Sequence, residues 1–145
     1  MTALTINSTP LKNGVNKRQL YVTVLVPATP TQASNTIIYD PTTTPWTTSG
    51  AYVGTKIRGV RAMTSVQGTA GTQAAIYLTW DASTPVVAVA IPCNNEICYD
   101  SQVNNELFTP LTNLGGTGVT GKIGITTAGL VAGDAITLVL DLLNE

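Results

Sequence analysis

Groups able to do chemistry are few in this chain. There are eight carboxylates, Asp40, Asp81, Glu96, Asp100, Glu106, Asp134, Asp141 and Glu145, and two thiols, Cys93 and Cys98, but no histidine. Without an imidazole, neither a Ser-His nor a Cys-His nucleophile can be built, and the commonest metal ligand is missing. Acid–base work would then need two carboxylates to meet in a cleft. Most of the carboxylates instead stand beside turn residues, where Asp is expected for its local hydrogen bonding. The spacing of Cys93 and Cys98 is not the C-x-x-C of redox and zinc sites, so two packed free thiols are expected, with a local disulfide as the alternative. Gly115-Gly-Thr-Gly118 lacks the Lys-Ser/Thr of a phosphate loop and reads as a linker. No Asp-x-Asp spacing supports calcium. The expectation is a protein that is not an enzyme and that uses neither metal nor cofactor.

What remains is a capacity for contact. The candidate interface residues are Lys12, Lys17 and Arg18 near the N-terminus, Lys56, Arg58 and Arg61 in a single run, and Trp46 in a Thr-rich stretch. On a regular strand Lys56 and Arg58 share one face and Arg61 falls on the other, unless a bulge at Gly59 shifts the register. Solvated surface is the plain reading of all three. Trp46 is read either as a lid folded onto the core or as a contact for sugar or protein. Seven basic and eight acidic residues leave a net charge of −1, with no block of either sign. That disfavours a basic groove for nucleic acid.

The elements that must position these groups read as strands. In residues 134–143, Ile136, Leu138, Leu140 and Leu142 alternate and would form one core wall, with Thr137, Val139 and Asp141 facing away. Helical spacing of Ala135, Leu138 and Leu142 is the competing reading, but Gly133 and the Ile, Thr and Val content favour a strand. Residues 118–127 pair with it as a closing hairpin. Residues 19–26, 35–39, 55–66, 74–80, 86–91 and 96–100 complete a set of about eight strands, separated by Gly, Pro and Thr-Ser turns. The runs 19–26 and 86–91 are apolar on both faces and are expected to be central or buried. Residues 74–80 would pair back on 55–66. Residues 42–50 read as a long surface loop, 101–109 as a single helical turn and 113–118 as a flexible link. The class is all-β: an antiparallel β-sandwich, jelly-roll-like. Residues 1–18 read as a loosely held arm, either frayed or ordered against a neighbouring subunit, and residues 19–145 as one domain.

At 145 residues the chain is long enough to bury a core without a disulfide. Only 10% of it is charged, against about 25% in ordinary soluble domains. Threonine, at 25 residues, supplies polarity without ions. Such a surface repels its neighbours weakly and suits a close-packed assembly; a secreted or adhesive domain is the alternative. No apolar run approaches the roughly 20 residues of a membrane helix, so no membrane partner is expected. The start, Met1-Thr-Ala-Leu-Thr-Ile, lacks a basic region followed by an apolar stretch, so no secretory signal peptide is expected and synthesis in a reducing cytoplasm is.

The segment Thr120-Gly-Lys-Ile-Gly-Ile-Thr-Thr127, followed by Ala132-Gly-Asp-Ala-Ile-Thr-Leu-Val-Leu-Asp-Leu-Leu143, resembles the closing hairpin of small β-sandwich structural proteins of tailed bacteriophages, of the capsid decoration or cement type. Over about 25 residues, that resemblance implies a non-enzymatic virion protein that binds a major capsid protein and bridges coat subunits. It also implies a homo-oligomer, a trimer before a dimer. The competing class is a receptor- or glycan-binding head, in which Trp46, Trp80, Tyr39 and Tyr52 form a platform for sugar rings. Exposed aromatics in one patch would mark the head; an internal, well-packed Trp80 with a flat, uncharged oligomer interface would mark the structural role.

Overall fold

The computed structural model describes residues 1–13, 17–43, 55–66, 74–91, 93, 96–100, 111–112 and 120–144. Among them are twelve strands: β1 (Thr2–Ala3), β2 (Thr5–Asn13), β3 (Lys17–Leu25), β4 (Pro30–Thr31), β5 (Thr36–Tyr39), β6 (Thr55–Ser65), β7 (Ala75–Trp80), β8 (Val86–Ile91), β9 (Glu96–Asp100), β10 (Leu111–Thr112), β11 (Ile123–Ala128) and β12 (Ala135–Asn144). All eight expected strands are present. The helical turn at 101–109, the Thr-rich loop with Trp46 and the link at 113–118 lie outside the described residues.

Two antiparallel sheets form a sandwich. The larger runs β10-β6-β12-β3-β2, with β9 also on β6, and the smaller runs β5-β11-β7-β8. Counting only the eight long expected strands in chain order, the sheets read 1-8-3-6 and 2-7-4-5, which is the strand order of a jelly roll. This order corrects two expected pairings. β11 and β12 do not form a hairpin, because the turn between them carries the chain from the smaller sheet to the larger. Likewise β7 pairs with β11 and β8, not with β6.

The alternation of β12 becomes the core wall: Ile136, Leu138, Leu140 and Leu142 are all buried. They are joined by Leu20, Val22 and Val24 of β3 and by Ile57, Val60 and Ala62 of β6. From the other sheet come Ile38, Ile76, Leu78, Trp80, Ile91, Ile123 and Ile125. Burial at this scale, about 1.5–3 kcal/mol per large aliphatic side chain, is what drives the two sheets together.

Two further expectations are revised. Residues 1–13 and 17–18 are not a loose arm: β1 pairs with β4, and β2 runs antiparallel along β3 as the edge of the larger sheet. Most of β2 is exposed, although Ile6 packs against the core. β8 is apolar throughout, yet it is an edge strand rather than a buried one, with Val86 48% and Val87 54% exposed.

The turns are held by side chains. Asn35, at φ 45°, donates from its amide to Asp81 Oδ1 (2.8 Å), accepts the Thr79 hydroxyl (2.7 Å), and its backbone N–H donates to Thr126 Oγ1 (2.9 Å). Asp81 also accepts the Thr120 hydroxyl (2.7 Å). Gly124 lies directly beneath: a Cβ there would overlap Asn35 Oδ1 and meet Thr79 Oγ1 at 3.0 Å. Asp134, though buried, accepts the Val131 N–H (2.8 Å) in the turn that opens β12.

Candidate functional site

The outer face of the larger sheet is where most of the candidate interface residues meet, and two bulges bring them there. On β6, Asp141 of β12 is opposite Gly59 and Leu142 is opposite Ile57, so Arg58 is an extra residue. A bulge turns both of its residues to one side. Ile57 and Val60 can then both be buried although they are three positions apart. The consequence is that Lys56, Arg58 and Arg61 all stand off the core face. The bulge that Gly59 suggested is therefore the device that unites them.

β2 repeats the arrangement on the other flank. Pro10 is opposite Leu20 and Lys12 is opposite Gln19, which leaves Leu11 as the extra residue. Leu11 and Lys12 are both exposed. The two bulges thus flank one cross-strand row, Lys12, Gln19, Asp141 and Gly59. At its centre the Gln19 side-chain amide donates to Asp141 Oδ1 (2.8 Å). One row further, Lys17 and Lys56 sit on either side of Leu143, about 10 Å apart at two strand spacings. On the opposite side of the Asp141 row, Arg61 is beside Val139, followed by Tyr21 and Thr9. Next come Met63, Thr137 and Thr23, then Ser65, Ala135 and Leu25. Met63 is 63% and Leu25 54% exposed.

Five of the seven basic residues of the chain therefore share one face. Lys12, Lys17 and Arg61 are exposed, and Lys56 and Arg58 are half-buried. Among the described residues, neither Arg58 nor Arg61 makes an ion pair. β9 completes the sheet at this edge, with Glu96, Cys98 and Asp100 in register with Met63, Arg61 and Gly59.

Arg18 stands apart from this group. It follows the inward phase of Leu20, Val22 and Val24, is 2% exposed, and donates to the Tyr39 hydroxyl (2.8 Å) across the sandwich. This corrects the expectation of an interface role: the guanidinium links β3 to β5 inside the protein. Trp46 lies outside the described residues. Of the aromatics proposed as a sugar platform, Trp80 and Tyr39 are buried in the core, and Tyr52 also lies outside the described residues.

Asp40, Asp81 and Asp134 lie at separate turns and Asp141 lies on β12, and among the described residues no three His, Cys, Asp or Glu side chains gather. Cys93 donates weakly to the Ala74 carbonyl (3.5 Å). Burial, and then the charge of Asp134, push its thiol above the ordinary value, which keeps it protonated and a poor nucleophile. Cys98 lies on β9, and the Cys98 thiol falls outside the described residues.

Asp40 is the one described carboxylate whose affinity for protons is clearly lowered. Burial pushes it up, but the Thr42 hydroxyl and N–H, both donating to Oδ1, together with the charge of Lys122 3.5 Å from Oδ2, bring it below 3.8. A carboxyl depressed in the folded state adds stability above its unfolded value, and that stability is lost as pH falls through the folded one. Asp40→Asn is therefore expected to be less stable than the native chain at neutral pH. Urea titrations should show the gap closing between about pH 5 and pH 2. A gap unchanged at low pH would mean that the Asp40 charge contributes nothing.

The described strands define an all-β sandwich with jelly-roll strand order, and the outer face of its larger sheet carries five basic residues. No family model, curated protein or solved structure matches the chain.

Proposed function

We propose that this protein is a virion structural component, a capsid decoration or cement protein that binds the outer lattice of a major capsid protein and bridges its subunits as a homo-oligomer. The observation that carries the reading is the division of the surface. Trp80 and Tyr39, needed for a sugar platform, are packed inside, while the outer face of the larger sheet gathers five cations, which departs from the uncharged interface expected of the structural role. An open sheet face suits contact with other proteins; small-molecule sites are concave. The low charge of the chain as a whole supports close packing, since few ions need desolvation when copies adjoin. Jelly rolls serve in capsid and in lectin domains alike, so the fold by itself does not choose between the structural role and a receptor-binding head.

The test is fractionation of particles assembled in cells that make the protein. A decoration protein is expected to co-sediment with capsids in a fixed ratio to the coat subunit and to be found at the particle surface. A chain that never co-sediments, and that is retained on a glycan array, would instead be a receptor-binding head.

A further inference from the structure

The cationic face is not uniform, and its pattern bears on what it binds. Its rows grade from Lys17 and Lys56, through Lys12, Arg58 and Arg61 around Asp141, to Met63 and Leu25. Resting on the decoration reading, we propose that this face docks an acidic protein surface, with carboxylates of the partner meeting Arg58, Arg61, Lys12 and Lys17, and apolar side chains covering Met63 and Leu25. Charge complementarity supplies the first half of the argument. Arg58 and Arg61 lie on β6, between β12 and the β9 edge, with no ion pair among the described residues, and arginine presents a planar fork suited to carboxylates.

The second half separates a protein from nucleic acid. A repeating polyanion would press phosphates against Asp141, whose carboxylate sits at the centre of the cations and is engaged on one oxygen by Gln19. Along the β9 edge it would also pass the register positions of Glu96 and Asp100. A protein partner can place a donor opposite Asp141 and acids around it. Exposed Met63 and half-buried Tyr21, together with the arginines, match the composition of protein interfaces. Size agrees: four strands about 4.8 Å apart and nine residues long cover roughly 600 Å², near the ~800 Å² per partner of a standard interface.

The experiment measures rebinding of the purified protein to capsid particles stripped of it, at low and high salt. The variants are Arg58→Glu with Arg61→Glu, and Met63→Thr; binding to duplex DNA is measured alongside. The double arginine variant is expected to bind particles at least about tenfold more weakly at low salt with its melting temperature unchanged, and the deficit should shrink as salt rises and screening shortens. Met63→Thr should weaken binding a few-fold at both salt concentrations, because its contact is apolar. Native rebinding with undiminished affinity in the arginine variant overturns this inference and leaves the decoration reading standing. Absence of native rebinding removes the decoration reading and the inference with it. Duplex DNA bound more tightly than particles, and lost in the same variant, would replace the protein partner with nucleic acid.

Discussion

Replacing Arg18 by alanine is expected to cost about 2–4 kcal/mol of folding stability, since it leaves a cavity and strips a buried hydroxyl of its donor. Arg18 spans the two sheets at 2% exposure and meets the Tyr39 hydroxyl at 2.8 Å. Tyr39 is itself buried, so its hydroxyl loses a partner inside the protein. Tyr39→Phe removes only one partner of that contact and should cost about 1 kcal/mol. Arg18→Met with Tyr39→Phe should lose less than the sum of its single variants, because two polar groups then leave a shared site together. Urea unfolding of the native chain, Arg18→Ala, Arg18→Met, Tyr39→Phe and the double variant measures this. An Arg18→Ala variant within about 0.5 kcal/mol of the native chain, as expected for ordinary surface changes, would mean that the side chain is solvated rather than structural.

Gly124→Ala is the second large effect, at about 1–3 kcal/mol, because it forces atoms into a filled space. The added methyl would overlap Asn35 Oδ1 and crowd Thr79 Oγ1. Both are tied to their places, since Asn35 joins Asp81, Thr79 and Thr126 and holds a positive φ. The strain is therefore specific to one neighbour. In an Asn35→Gly background the obstructing amide is gone and φ 45° is readily adopted, so Gly124→Ala should then cost little. Equal costs in both backgrounds would place the conflict elsewhere, in the backbone of β11.

How much of this was legible in the sequence depended on whether a residue's role was periodic. The core wall of β12 and the buried phase of β7 follow from alternation alone, and with eight strands and their turns they point to a jelly-roll-like sandwich. β3 reads as apolar on both faces, yet of its apolar residues only those on the Leu20, Val22 and Val24 side are buried. β2 carries no apolar period beyond Ile6, because most of its described residues are exposed, so Thr5–Asn13 looks like an arm in the sequence. Arg18 carried a usable signal: it extends the inward phase of Leu20, Val22 and Val24 one step toward the N-terminus. Its charge argued for the surface, and its Tyr39 partner, in the other sheet, leaves no local trace. β8 misled in the opposite direction, since a fully apolar run can lie at an edge as well as at a centre. The gathering of Arg58 with Arg61 hung on a single bulge. Gly59 marked where it could form, but the pairing of Asp141 with Gly59 decided that it does.

The same bulges separate what the interior requires from what the exterior displays. Ile57 and Val60 flank Arg58 and Gly59, and both face inward; a strand one residue shorter, without Arg58, would keep them inward by simple alternation. On β2 the extra residue is Leu11, and Pro10 and Lys12 would likewise keep their phases without it. Each of these strands is thus one residue longer than the core demands. At both places deletion of the extra residue is expected to leave the buried pattern in step, so the strands can give up position 11 or 58 from the outer face while the fold beneath keeps its phase.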